Sequence, residues 1–344
     1  MGARMGSVSH LKNKGIEAIP THEGVDRFVN LFLNDPGCPE VIVAAKMGGM
    51  DTWEIAPLNG PENLRYTEEC LAETPGVEVL FKTRLTFERD PYLKDHLFNG
   101  SYLFPTVFGL EAMAQVSAHA SGIKDFSRVK IRDICLDRPI TVDPETGSDI
   151  FIHALVEEKR TGDSSIVVHA EIGTDLLEKK FSAAFVLGLS DPPARHSVPF
   201  PEKPLPIDPV LDLYKEDFLF QGPCFQRIEY VWSIDSQPHE NTGEQALFTS
   251  RYQTGPDAAG IAFPNEEYQN LLLGDPFFRD SLLQSAYLLV PKETCLPYRI
   301  QKLDIFKVPE TPPAAVAAQV RLNRVEGSDI EDRSEERRVG KECA

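Results

Sequence analysis

The 344-residue chain has no run of 18 or more apolar residues, and no basic start leading into an apolar stretch. Neither a membrane span nor a secretory leader is therefore expected. Its six cysteines, at 38, 70, 135, 224, 295 and 343, are scattered without paired spacing, which argues against a zinc site and against a disulfide framework. Positive charge is in deficit. With 35 Lys and Arg against 53 Asp and Glu, the formal charge is −18, which repels nucleic acid and anionic lipid surfaces. The expectation is a cytoplasmic protein with no metal, nucleic acid or membrane partner. At 42% apolar residues it is globular, and its length allows two or more cores.

The chain changes texture along its length. Val25, Phe28, Val29 and Phe32 recur at helical spacing, and "EVIVAA" at 40–45 reads as a buried strand. From residue 77 come "VEVLFKTRLTF", "RVKIRDICLDRPITV", "DIFIHALVEE", "SSIVVHAEI" and "KFSAAFVLGL", each β-branched or aromatic and bounded by turn formers. One long apolar helix interrupts them, from about Pro105 to about Gly122, with proline at its start, where a missing N–H costs nothing. Seven prolines within 191–210 favour an extended connector. Then the plan recurs: "RIEYVWSI", "EQALFTSRY", the helix "FFRDSLLQSAYLLV", "YRIQKLDIF" and "AAVAAQVRL". Two sets of strands around one buried helix each form a structural repeat. The last residues, "RSEERRVGKECA", read as non-native sequence of the kind given by sequencing-adapter read-through, and the second repeat is expected to lack its last strands.

Chemistry concentrates at two places. In "DHLFNGSYLFPTVFGLEAMAQ", residues 95–115, His96 precedes Gly100 and Pro105. An imidazole in a loop can be a neutral base at cellular pH. A glycine lets its N–H approach a ligand, and a helix N-terminus favours negative charge. This combination suits proton abstraction beside a carbonyl. On the second helix, Asp280 and Gln284 are four apart and share a face. A carboxylate on an apolar helix is costly to bury without partners or a task, and burial raises its pKa. On residues alone each has a plain alternative. A lone histidine before a helix is more often a surface or satisfied residue than a catalyst, and Asp280 is equally an acid near a helix start.

The His96, Gly100, Pro105 pattern, "FQGPCF" at 220–225, "LPY" at 296–298 and Asp280 with Gln284 together resemble the dehydratase domain of a type I polyketide or polyunsaturated-fatty-acid synthase. The likeness spans about residues 60–325. It implies an α+β double hot-dog fold, two curved antiparallel sheets each wrapped around one helix. The implied division is a ketoreductase-like α/β remnant at 1–55, a first hot-dog at 60–190, a linker at 191–210, a second hot-dog at 211–332 and a foreign tail at 333–344. The remnant carries neither the glycine loop nor the Tyr/Lys pair of ketoreductases.

The implied reaction is dehydration of a 3-hydroxyacyl thioester on acyl carrier protein to the 2,3-enoyl product, with no cofactor. By the resemblance His96 is the base, and Asp280, oriented by Gln284 across a shared cavity, is the acid. The implied substrate-binding residues are Gly100, whose N–H polarises the thioester carbonyl, Pro105 at the helix start, Gln284, and Gln221, which replaces a tyrosine usual in the "YxYGPxF" block, where Leu219 replaces another. Carrier protein supplied in cis, neighbouring synthase domains and a homodimer are the expected partners. Arg84, Arg89 and Lys94 are either a carrier-docking cluster or ordinary solvated charges. A double-bond isomerase or cyclase on the same thioesters would use the same residues, and a non-catalytic scaffold would need neither.

Overall fold

The computed structural model describes residues 19, 21–33, 63–74, 76–157, 165–189, 203–214, 218–235, 244–251, 253, 255–264, 270–285, 296–306 and 315–322. The strand expected at 40–45, the tail from 333 and most of the proline-rich connector lie outside them. Helix α1, Thr21–Leu33, forms where the spacing of Val25, Phe28 and Val29 predicts it. Two compact units divide the chain.

The first unit is a seven-stranded antiparallel sheet around one helix. Its strands are β1 (Glu69–Thr74), β2 (Glu78–Leu85), β5 (Arg128–Leu136), β6 (Ser148–Val156), β7 (Ile166–Gly173), β8 (Lys179–Leu187) and β11 (Arg299–Phe306), in the order β1-β2-β6-β7-β8-β5-β11. Buried side chains alternate along β7, where Ile166, Val168, Ala170 and Ile172 face inward, the period expected of a strand with one covered face. The covering element is α2, Thr106–Ser121, whose first residue follows Pro105 and whose end is capped by Gly122 in the left-handed conformation. The helix is buried almost throughout. Gly109 lets it approach β8, since a Cβ there would lie 2.7 Å from the Phe181 ring.

Two polar residues on this helix tie down more distant chain. Glu111 accepts the N–H groups of Leu272 and Leu273, and Gln115 accepts that of Tyr66. Between them the Gln115 amide donates to Glu111. A buried carboxylate is tolerable when several donors meet it.

Residues Gly255–Pro276 and Pro297–Pro309 belong to the first unit although they follow the second unit's first two strands. Helix α3, Gly255–Ala262, was not expected, and Phe263 just after it packs edge-on against Tyr66, Tyr92 and Phe108. Strand β11, read from sequence as part of the second copy, pairs antiparallel with β5, Ile300 opposite Ile134. Pattern gives a strand's existence but not its partner.

In the second unit, β9 (Ile228–Asp235), β10 (Glu244–Arg251) and β12 (Ala315–Leu322) form an antiparallel sheet in the order β12-β10-β9. Leu213, Leu219, Ile228, Val231 and Phe248 make its core, and Leu282 of helix α4, Pro276–Gln284, packs on them. The described end of the connector is tied to β9, with Leu205 N–H bonded to Val231 O, and turns at once, with Ile207 N–H bonded to Leu205 O. It then closes a single π-helical turn, Pro209–Leu213, through a bond from Tyr214 N–H to Pro209 O. Among the described residues no helix is long and apolar enough to cross a membrane.

Candidate active site

His96 closes a tightly held turn. Pro91–Asp95 forms a 3-10 helix with Tyr92 and Leu93 buried, and His96 N–H bonds Leu93 O at 3.2 Å. The turn hangs on Asp90, whose carboxylate takes Arg65 Nε at 2.9 Å, Arg65 Nη2 at 2.5 Å and Thr86 N–H at 3.1 Å. Both partners are fully buried. A paired, multiply bonded buried charge of this kind fixes geometry more surely than it adds stability. Tyr92 in addition lies flat on Phe108 of α2, ring centroids 3.6 Å apart.

His96 is 6% exposed. Its Nδ1 lies 3.1 Å from Leu103 O. A carbonyl only accepts, so Nδ1 carries the ring proton and Nε2 is the basic nitrogen. The backbone repeats the tie, Leu103 N–H bonding His96 O at 3.0 Å. Burial, partly opposed by the Leu103 bond, pushes the ring's pKa down to about 4. His96 is therefore neutral at physiological pH, with its base nitrogen defined.

Gly100 stands apart from the ring. Strands β3 (Leu97–Phe98) and β4 (Ser101–Tyr102) pair as a hairpin joined by Asn99 and Gly100, with φ of 48° and 77°. Both central residues left-handed make the Asn-Gly turn that two-residue hairpins favour. Gly100 thus occupies an exposed tip, three residues along the ladder from His96, or roughly 10 Å at the rise of a strand. The left-handed turn gives Gly100 a conformational role. Pro105 sits at the N-cap of α2 with φ −66°, as expected.

Asp280 is the fifth residue of α4, past the first turn, so the pull of a helix terminus does not account for it. It is 4% exposed, and Gln284 Nε2 donates to its Oδ2 at 2.8 Å. Burial raises its pKa to about 7, against the smaller downward pulls of the Gln284 bond and of Arg279. The same Gln284 nitrogen donates to Phe225 O at 3.1 Å, and Gln284 Oε1 accepts the Tyr214 hydroxyl at 3.0 Å. Phe225 belongs to the "FQGPCF" block, which is seated on α4 by its edge contact with Phe277, centroids 5.1 Å apart. Arg227, 5.2 Å over the Phe277 ring and bonded to Cys224 O and Gln253, completes the clamp.

Within that block Gln221 is buried, and its Oε1 has no hydrogen-bond partner. Leaving a buried acceptor unpaired costs about 1–3 kcal/mol. This is the sort of cost a binding site keeps. Tyr214 was not singled out from sequence. A tyrosine in "LDLYKED" carries no local signal, and its role depends on a partner 70 residues on.

Other residues resolve simply. Arg84 pairs with Asp149 at 2.7 Å and Arg89 pairs with Glu68, so both already have counter-charges. His119 bonds Glu73, His153 bonds Glu78 and His169 bonds Glu157, in line with structural or surface roles. Among the described residues no group of three or more His, Cys, Asp or Glu is placed to hold a metal ion.

Residues 69–171 match the family profile described as polyketide synthase dehydratase domain, and 192–335 match that described as polyketide synthase dehydratase N-terminal domain. The chain belongs to the polyketide synthase dehydratases. Solved structures agree on the double hot-dog fold. The dehydratase domain from the CurK module of a curacin polyketide synthase is 16% identical, with 76% of this chain and 88% of that one covered and a TM-score of 0.53. The CurF module's dehydratase is 14% identical, covering 77% and 90%, with a TM-score of 0.51. A GphF dehydratase variant is 14% identical, covering 79% and 89%, at 0.53. Comparison with curated protein sequences gives no match. The dehydratase eliminates water from 3-hydroxyacyl thioesters within a polyketide synthase.

Proposed function

We propose that His96 and Asp280 carry this dehydration as base and acid. The observation that carries the reading is the pair of opposite shifts, a buried histidine held neutral with Nε2 basic and a buried aspartate held near neutrality as an acid. His96 Nε2 takes the proton from the carbon next to the thioester carbonyl, giving an enolate. The enolate expels the 3-hydroxyl, which leaves as water with the Asp280 proton. One water and one 2,3-double bond result. Proton exchange with solvent then resets both groups. Carbonyl polarisation we assign to the Gly100 N–H, at the hairpin tip that follows His96. Gln221 Oε1 accepts from a donor on the substrate, the 3-hydroxyl or an amide of the carrier's arm. The CurK dehydratase supports these roles. It has been solved as inactive mutants, one with histidine changed to phenylalanine and another with aspartate changed to asparagine.

The substrate we propose is carried on acyl carrier protein and needs no further cofactor. At a net charge of −18, an acidic carrier gains nothing from long-range attraction. A covalent tether supplies high local concentration instead, so the carrier acts in cis, beside neighbouring synthase domains, in a cytoplasmic homodimer. Residues 1–55 we assign to a ketoreductase-like remnant on the strength of α1. The test is mass spectrometry of a 3-hydroxyacyl carrier protein incubated with the protein, His96→Ala and Asp280→Asn. Loss of one water with the parent alone supports both roles. Full turnover by either folded variant refutes that residue's role.

A further inference from the structure

The hydrogen bonds behind Asp280 have a direction that can be followed atom by atom. Ile228 N–H donates to the Tyr214 hydroxyl oxygen at 3.2 Å. A backbone N–H can only donate, so it occupies a lone pair and leaves the tyrosyl proton to be given elsewhere. That proton goes to Gln284 Oε1 at 3.0 Å. On the far side of the amide, Phe225 O, which only accepts, and Asp280 Oδ2 lie 3.1 and 2.8 Å from Nε2. Turning the amide over would set its oxygen against Phe225 O and Asp280 Oδ2 together.

We propose that Tyr214 is a positioning residue for the dehydration. Its hydroxyl, polarised by Ile228 N–H, locks Gln284 with the NH2 toward Asp280 and so confines the acidic proton to Asp280 Oδ1. Oδ2 already holds a donor, so a proton on it would meet another hydrogen. The transferable proton then has one address and one orientation. Three features make Tyr214 suited to this. It is half-buried, and burial pushes its phenol up to about 12, so it remains a donor across the working range. Its backbone is set by the π-helical turn, Tyr214 N–H bonding Pro209 O at 3.1 Å, a device that often re-aims one residue at a functional site. It also packs against the core of Leu213, Leu219 and Ile228, which restrains the ring. The titratable or charged groups around this chain of bonds are Tyr214 itself, Arg279 on α4 and Arg227 from the facing loop.

The inference rests on Asp280 being the acid, and its test is separable from that reading. The Asp280 carboxyl is followed by carbon-13 NMR in the full chain labelled at aspartate, its signal identified by its absence in Asp280→Asn. In Tyr214→Phe the Gln284 donor is loosened, and the Asp280 titration moves up by about one pH unit, the order of one lost hydrogen bond. The alkaline limb of kcat/KM moves with it while KM holds. In a Gln284→Ala background Tyr214→Phe adds nothing. An Asp280 titration unmoved by Tyr214→Phe, or a further shift in the double variant, overturns the proposal. Should Tyr214→Phe not fold, 3-fluorotyrosine at 214, a stronger donor of unchanged shape, moves the titration downward, and no movement overturns the idea equally. A shift without any change in dehydration supports the positioning and sinks the acid assignment instead.

Discussion

The pH dependence of dehydration follows from the two buried groups. His96 is held down to about 4 by burial and Asp280 is raised to about 7 by burial. The productive form needs the first unprotonated and the second protonated. Both conditions hold between those values, so kcat/KM rises through about 4, runs flat near pH 5–6, and falls through about 7. At pH 8, one unit beyond, about a tenth of Asp280 keeps its proton, and at pH 9 about a hundredth, so the rate drops roughly tenfold and then a hundredfold. A 3-hydroxyacyl pantetheine thioester, used in place of the carrier, keeps the carrier's own carboxylates out of the profile. Asp280→Asn removes the alkaline limb and lowers the remaining rate by about 10²–10⁴-fold. A parent rate at pH 9 within twofold of that at pH 6, or an alkaline limb surviving in Asp280→Asn, refutes the reasoning.

Asp280→Asn also changes stability. A pKa raised from 3.8 to about 7 means the folded state holds a proton the unfolded chain releases, so stability present below about 3.8 is lost as pH rises through about 7. Asparagine carries no such loss, and urea unfolding at pH 8 should show the variant more stable by up to about 4 kcal/mol, with the gain absent at pH 4. Equal midpoints at pH 8 would contradict it. Gln221→Leu removes the unpaired acceptor, so it should raise KM by about fivefold or more while leaving the unliganded protein as stable or more so; an unchanged KM excludes Gln221 from substrate binding. Gly109→Ala places a Cβ 2.7 and 2.9 Å from two Phe181 ring atoms. Overpacking costs about 1–3 kcal/mol against about 1 regained in helix propensity, and a melting temperature at or above the parent's would show that the ring yields freely.

What the sequence made legible was set by range. The strands at 78–85, 148–156, 166–173 and 179–187, and the helix from Thr106, lie where local pattern placed them, because burial of one face writes a period into the residues that carry it. Partner choice writes no such period. Strand β11 presents Ile300, Leu303 and Ile305 at irregular intervals, and nothing local says that it extends the first sheet beside β5. Helix α3, "GPDAAGIA", opens with the glycine and proline of a turn. Strand β1, "ECLAET", is too polar to register as a strand. At the site, the His96 loop and the Asp280–Gln284 pair were visible as residue types at short spacing. The Asn-Gly turn under Gly100, the lock on the His96 tautomer and the Tyr214 bond were not, since each is settled by backbone geometry or by a partner distant in sequence.

One cause gives both candidate groups their state. Burial disfavours whichever form is charged, so it lowers a histidine and raises an aspartate without either needing to sense the other. The local bonds then trim the result in the opposite direction. The Leu103 carbonyl lifts His96 slightly, and the Gln284 amide lowers Asp280 slightly. An unbonded buried aspartate would sit higher still and part with its proton less readily, and an unbonded histidine would be a weaker base. Each partner therefore does two things at once, fixing which atom acts and keeping that atom reactive near neutral pH. The cost falls on stability over the same range. As pH drops from about 6.5 to 4 the depressed histidine destabilises the fold while the raised aspartate stabilises it. The two contributions run in opposite directions, so removing either group should leave a stability slope of the other's sign. His96→Phe should gain stability on mild acidification, and Asp280→Asn should lose it.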